Sequence, residues 1–87
     1  MSVRPVLARF YGIVIRMYFQ QAEHNPPHIH ALYGEDMAAV DIQTNDVLEG
    51  HLPPKALAMV REWVLINKND LLYMWETQEF KKLAPLE

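Results

Sequence analysis

The sequence predicts an α+β fold in which an antiparallel β-meander is followed by two C-terminal helices packed on one face of it, in two layers. Three observations predict this. Val3 to Phe19 is rich in β-branched and aromatic residues, and Ile13, Ile15, Met17 and Phe19 alternate with Val14, Arg16, Tyr18 and Gln20, as Ile29, Ala31 and Tyr33 do with His28, His30 and Leu32. At Pro53-Pro54 the hydrophobic period changes from about 2 to about 3.6. No low-complexity run, internal repeat or linker separates the two halves, so they share one core and form a single domain over residues 1–87. The sheet is expected over roughly residues 3–51 and the helices over roughly 54–83.

The first two strands are expected near Val6 to Phe10 and from Ile13 to Phe19, with Gly12 as a bulge or tight turn between them. A loop follows from Gln20 to Pro27. The next strand, His28 to Tyr33, ends at Gly34-Glu35-Asp36, and another runs from Met37 to Gln43, which makes a hairpin. A two-residue turn at Gly34-Glu35 sets His28 opposite Asp41, and one at Glu35-Asp36 sets His30 opposite Asp41. Both registers keep Ile29 and Ala31 with Val40 and Ile42 on the buried face, because side chains alternate with period 2. Thr44-Asn45-Asp46 is turn chemistry leading to a short strand from Val47 to about Gly50.

Pro54 suits the first turn of a helix, and Ala56, Leu57, Val60, Trp63 and Val64 follow at helical spacing. Asn67 with Asp70 three residues later reads as an N-cap for a second helix from about Lys68 to Leu83, although Asn67 or Asn69 equally suits the end of the first. The apolar stripe of that second helix includes Leu71, Leu72, Trp75 and Phe80. Lys81 and Lys82 would complement its dipole, and Pro85 would end it.

Eighty-seven residues, 51% of them hydrophobic, suffice for a core, but a chain this short buries only about 60–65% of its unfolded surface, so dimerisation would help it. There is no cysteine, which excludes disulfides and Cys-ligated zinc and fits a reducing cytoplasm. No apolar run approaches the roughly 20 residues of a membrane span, and the N-terminus lacks the apolar core of a signal peptide, so a cytoplasmic protein is expected. The net charge of −3 is unevenly placed. Arg4, Arg9 and Arg16 stand in a first stretch without acids, whereas Glu23, Glu35, Asp36, Asp41, Asp46 and Glu49 stand in a middle without Lys or Arg. That middle attracts cations and repels phosphate, which argues against nucleic acid across it.

The chemically distinctive stretch is His24-Asn25-Pro26-Pro27-His28-Ile29-His30. The prolines stiffen it into an extended approach, and strand alternation places His28 and His30 on one face, towards which His24 can fold back. His24, His28 and His30 are therefore candidate ligands for a divalent metal such as Zn²⁺ or Ni²⁺, with Asp41, Glu23 or water completing the shell. The bland alternative is surface histidines that hydrogen-bond the loop backbone. A proton-transfer role would need an anion-stabilising group, for which Arg16 is the candidate; Tyr18 and Asp41 complete the candidate ligand-binding set. Tyr11, Tyr18 and Tyr33 equally fit the core margin, and Trp63 and Trp75 read as helix-packing residues. His51 is too far along the chain to join the cluster by spacing. The only serine is Ser2 and there is no Gly-rich phosphate loop, so serine nucleophile chemistry is poorly supported and no catalytic residue is assigned.

Arg9-Phe10-Tyr11-Gly12-Ile13, Met17-Tyr18-Phe19, the stretch from His24 through Gly34, Leu48-Glu49-Gly50, Leu52-Pro53, Ala56-Leu57, Glu62-Trp63 and Trp75 together carry a further signal. In these residues the chain resembles DUF4160, a small bacterial family of unknown function. The resemblance implies no reaction. It does imply one half of a two-gene, toxin–antitoxin-like pair, and hence a protein partner or self-association. Three readings follow in order: a protein-interaction module, a divalent-metal-binding protein, and a small RNA-directed toxin enzyme using histidine acid–base chemistry.

Overall fold

The computed structural model of the chain describes residues 5–18 and 26–87. Five strands come first: β1 (Val6–Phe10), β2 (Ile13–Arg16), β3 (His28–Tyr33), β4 (Asp36–Asp41) and β5 (Val47–Gly50). Two helices follow, α1 (Pro54–Ile66) and α2 (Lys68–Thr77). The strands form one antiparallel sheet in sequence order, β1-β2-β3-β4-β5. The α+β meander and its two helices are thus as the sequence predicts.

The alternation decides which face is buried. Ile13 and Ile15 on β2, Ile29 and Ala31 on β3, and Ala38 and Val40 on β4 are all 0% exposed. They join Ala56, Val60, Trp63 and Val64 of α1 and Leu71, Met74 and Trp75 of α2 in one cluster. Each valine, leucine, isoleucine or methionine side chain among them, removed fully from water, contributes about 1.5–3 kcal/mol. Leu57, also expected in this core, is only half-buried and packs against it. No helix among the described residues is long and apolar enough to cross a membrane.

The β3–β4 register is the first of the two the sequence allowed, with His28 opposite Asp41 and Tyr33 opposite Asp36. Gly34 at φ +60° occupies the first central position of this two-residue turn, the place glycine takes in a type II′ hairpin. Tyr11 and Gly12, both at positive φ, form the corresponding turn between β1 and β2. β2 ends at Arg16 and β4 at Asp41, shorter than expected. Phe19, the expected end of β2, lies outside the described residues. At Asp41 the chain leaves the ladder because Oδ1 of its buried carboxylate accepts from the amides of Gln43 (2.7 Å) and Thr44 (3.0 Å), the turn chemistry by which Asp competes with strand pairing.

The second helix differs more. It ends at Thr77, and Gln78 takes a left-handed conformation with φ 60° and returns its amide to the Met74 carbonyl at 2.8 Å. Phe80, Lys81 and Lys82 are therefore not helical. From Gln78 the chain runs back along β1, where the Leu83 amide donates to the Leu7 carbonyl at 2.7 Å. The indole Nε1 of Trp63 donates to the Ala84 carbonyl at 2.8 Å. Burial of Leu86 and contact of Phe80 and Leu83 with the core give this segment more than another helical turn would. Lys81 faces Asp70 at 3.8 Å, an exposed ion pair worth little. Asn67 closes α1, since its Nδ2 donates to the Trp63 carbonyl at 2.9 Å, and it makes no side-chain cap on α2.

Gly50 and Gly34 give a controlled comparison. Both have positive φ, but a Cβ on Gly34 would meet nothing within 4 Å, whereas one on Gly50 would collide with the Met37 carbonyl oxygen. Gly34→Ala should cost roughly 1–2 kcal/mol for the backbone alone. Gly50→Ala should cost at least about 2 kcal/mol more, because rigid backbone has to move. Urea unfolding of both variants checks this, and equal costs would contradict the close β4–β5 approach.

Candidate functional site

Three rows of side chains lie on the sheet opposite the core residues Ile13, Ile15, Ile29, Ala31, Ala38 and Val40, the third of them in contact with Trp75 of α2, and the pairing registers define them. In the first, Val14 of β2 lies opposite Leu32 of β3, and Leu32 opposite Met37 of β4. All three are half-buried. In the second, Arg16 lies opposite His30, His30 opposite Ala39, and Ala39 opposite Glu49 of β5. The third holds His28 opposite Asp41. An apolar band thus lies beside a polar one.

Glu49 reaches this face through a β-bulge. Val40 pairs with Val47 and the adjacent Ala39 pairs with Glu49, so Leu48 is the extra residue of β5. In a regular strand Glu49 would share the core side with Val47. The bulge reverses it, and an open cleft of about 270 Å³ lies here, lined by Pro26, His28, Ala39, Leu48 and Glu49. Glu49 does not stand out in the sequence as a site residue, because alternation without the bulge hides it.

The histidines sit in a line of rings. Tyr18 stacks on His30 with centroids 4.3 Å apart and planes 15° from parallel. His30 meets His28 edge-on at 5.1 Å, and His28 leans on Trp75 of α2 at 5.0 Å. Trp75 is therefore both a core residue and a support for the site. Arg16 lies opposite His30 and Tyr18 stacks on it, both half-buried. Asp41 stands beside His28, but its Oδ1 serves its own turn. His24 and Glu23 lie outside the described residues, and among those described no group of three or more His, Asp or Glu is arranged to hold a metal ion.

The two imidazoles are held differently. His28 Nδ1 lies 2.9 Å from the Pro26 carbonyl oxygen, which can only accept, so the neutral ring carries its proton on Nδ1 and presents a bare Nε2. The Nδ1 of His30 is buried with no hydrogen-bond partner among the described residues. A proton there would be an orphaned donor, costing about 1–3 kcal/mol, so the neutral ring carries its proton on Nε2. The pair thus offers one acceptor and one donor. Burial, helped by the neighbouring His28, lowers the pKa of His30 below 6.5, and the carboxylate of Glu49 opposes this in part.

A lowered pKa means that the unfolded chain takes up the proton first. The contribution of neutral His30 to stability is therefore fully present above about pH 6.5 and is lost as pH falls below it. The stability of the wild type relative to His30→Phe should decline between pH 7.5 and 5.5 in urea unfolding. A difference that is flat, or that grows in acid, would contradict the environment described for His30.

No curated protein and no solved structure significantly matches this chain. A family model, that of a domain of unknown function, DUF4160, matches residues 12–76, from the turn before β2 to the penultimate residue of α2. That span takes in β2 to β5, the histidine pair, Glu49 and Trp75, and the chain belongs to the DUF4160 family.

Proposed function

We propose that the chain is a protein-interaction module, one half of a two-gene, toxin–antitoxin-like pair, and that it binds its partner protein through the open face of the sheet. The observation that carries this reading is the row Val14, Leu32 and Met37, which spans three adjacent strands on the face opposite the helices. Clustered apolar side chains on an uncovered face mark contact surfaces more often than isolated ones do. The flanking row, with Arg16, His30 and Glu49, supplies the directional polar groups that an interface needs around an apolar centre. Co-expression of the tagged chain with the product of the adjacent gene should recover the two together. Leu32→Glu should abolish recovery while leaving the thermal midpoint within a few degrees of wild type. Recovery unaffected by Leu32→Glu, or none from the wild type, would sink the reading.

One observation favours a second reading, divalent-metal binding. The hydrogen bond from His28 Nδ1 to the Pro26 carbonyl is the arrangement that orients a ligating imidazole and leaves Nε2 for the metal. Before His30 could ligate through Nε2, its proton would have to move to a buried nitrogen without an acceptor, which weakens the site. Calorimetric titration of Zn²⁺ or Ni²⁺ at pH 7.5 should then show at least a tenfold loss of affinity in His28→Ala, and weaker binding in acid as imidazoles protonate. Equal affinity in wild type and His28→Ala, or no saturable binding, would remove this reading. Nothing comparable favours the RNA-directed enzyme, and an acid beside His30 repels a phosphate.

A further inference from the structure

The chain treats the two edges of its sheet differently. Along β1 the C-terminal segment comes alongside, with the Leu83 amide bonded to the Leu7 carbonyl at 2.7 Å. At the other end of the strand order β5 terminates the sheet, and among the described residues no strand lies beside its outer backbone edge. β5 also carries an exposed leucine, Leu48 at 45%, next to the exposed Glu49.

The cleft beside this edge has a specific chemistry. Among the described residues, Pro26, Ala39 and Leu48 give it an apolar lining, His28 an imidazole and Glu49 a carboxylate. Asp46 precedes β5, and no Lys or Arg occurs between residues 21 and 50. Such a site suits a side chain with an aliphatic stem and a planar cation, which can pack its stem, stack its head on a neutral imidazole and pair it with a carboxylate.

We propose that β5 is the docking edge for an extended, arginine-bearing segment of the partner protein, which adds to the sheet as a further strand and lays an arginine in the cleft against Glu49. The inference rests on the interaction-module reading and narrows it to one edge and one side-chain chemistry. Backbone pairing supplies affinity in this mode and the side-chain cleft supplies selectivity. A second copy of this chain is the wrong occupant, because antiparallel pairing of β5 with itself would bring two copies of Glu49 and Asp46 together.

The test uses fluorescein-labelled octapeptides of alternating valine and arginine, or alternating valine and glutamate, titrated into the full chain by anisotropy. The arginine peptide should bind at least tenfold more tightly than the glutamate peptide. N-methylation of its alternate amides on one edge should weaken it at least tenfold. Glu49→Gln should remove most of the discrimination between the two peptides. Equal binding of the two, or arginine binding untouched by both N-methylation and Glu49→Gln, would overturn the proposal, since the latter is diffuse attraction to an acidic surface. The adjacent-gene product separates the two levels of inference. Its retention by Glu49→Gln together with its loss in Leu32→Glu would leave the open-face module standing and remove the β5 edge, whereas loss of every form of binding would remove both.

Discussion

Everything on the open face depends on the register of β3 against β4. The two-residue turn at Gly34-Glu35 closes on Tyr33 and Asp36 and so places Ile29 opposite Val40 and Ala31 opposite Ala38. A slip by one residue would turn Ile29 and Ala31 out and drive two imidazoles into the core, at a cost of several kcal/mol in lost burial and unpaired polar groups. The burial of Ile29, Ala31, Ala38 and Val40 and the position of His28 and His30 are thus one constraint seen from two sides. The asymmetry between the histidines follows from it. His28 begins the strand, within reach of the Pro26 carbonyl, while His30 lies two pairs further in between Arg16 and Ala39, under the ring of Tyr18.

Much of the fold is legible in the sequence because local signals there agree with the tertiary outcome. The alternation of His28, His30 and Leu32 with Ile29 and Ala31 already fixes two faces, and the proline pair at residues 53 and 54 already marks the start of α1. The signals fail where a local preference loses to packing. Phe80 lies at helical spacing from Leu72, eight residues on, yet α2 stops at Thr77 because the following ten residues reach β1, the Trp63 indole and the core. The capping pattern of Asn67 with Asp70 is equally ambiguous by composition, and the Trp63 carbonyl decides it.

The candidate site is legible in part for a related reason. His28, His30 and Arg16 come together through regular pairing, which alternation reads. Glu49 comes to them through an irregularity, the bulge at Leu48, and its distance from His30 is set by Ala39, whose small side chain leaves the carboxylate and the imidazole in electrostatic contact across β4. Trp75 carries a helix-packing signal and performs that role, and its contact with His28 could not be inferred from period alone. The result is a surface with an apolar band, a donor–acceptor pair of imidazoles and an acidic edge, positioned by strand pairing together with the β5 bulge and the Pro26 carbonyl.

The opposite tautomers of the two histidines are the most exposed consequence of this account, because they depend on the register, on the Pro26 carbonyl and on the buried Nδ1 of His30 together. Long-range ¹H–¹⁵N correlation spectra of the uniformly labelled chain near pH 7.5 read the protonated nitrogen of each neutral ring directly. The account predicts the proton on Nδ1 for His28 and on Nε2 for His30. The same tautomer in both rings, or the reverse assignment, would contradict it.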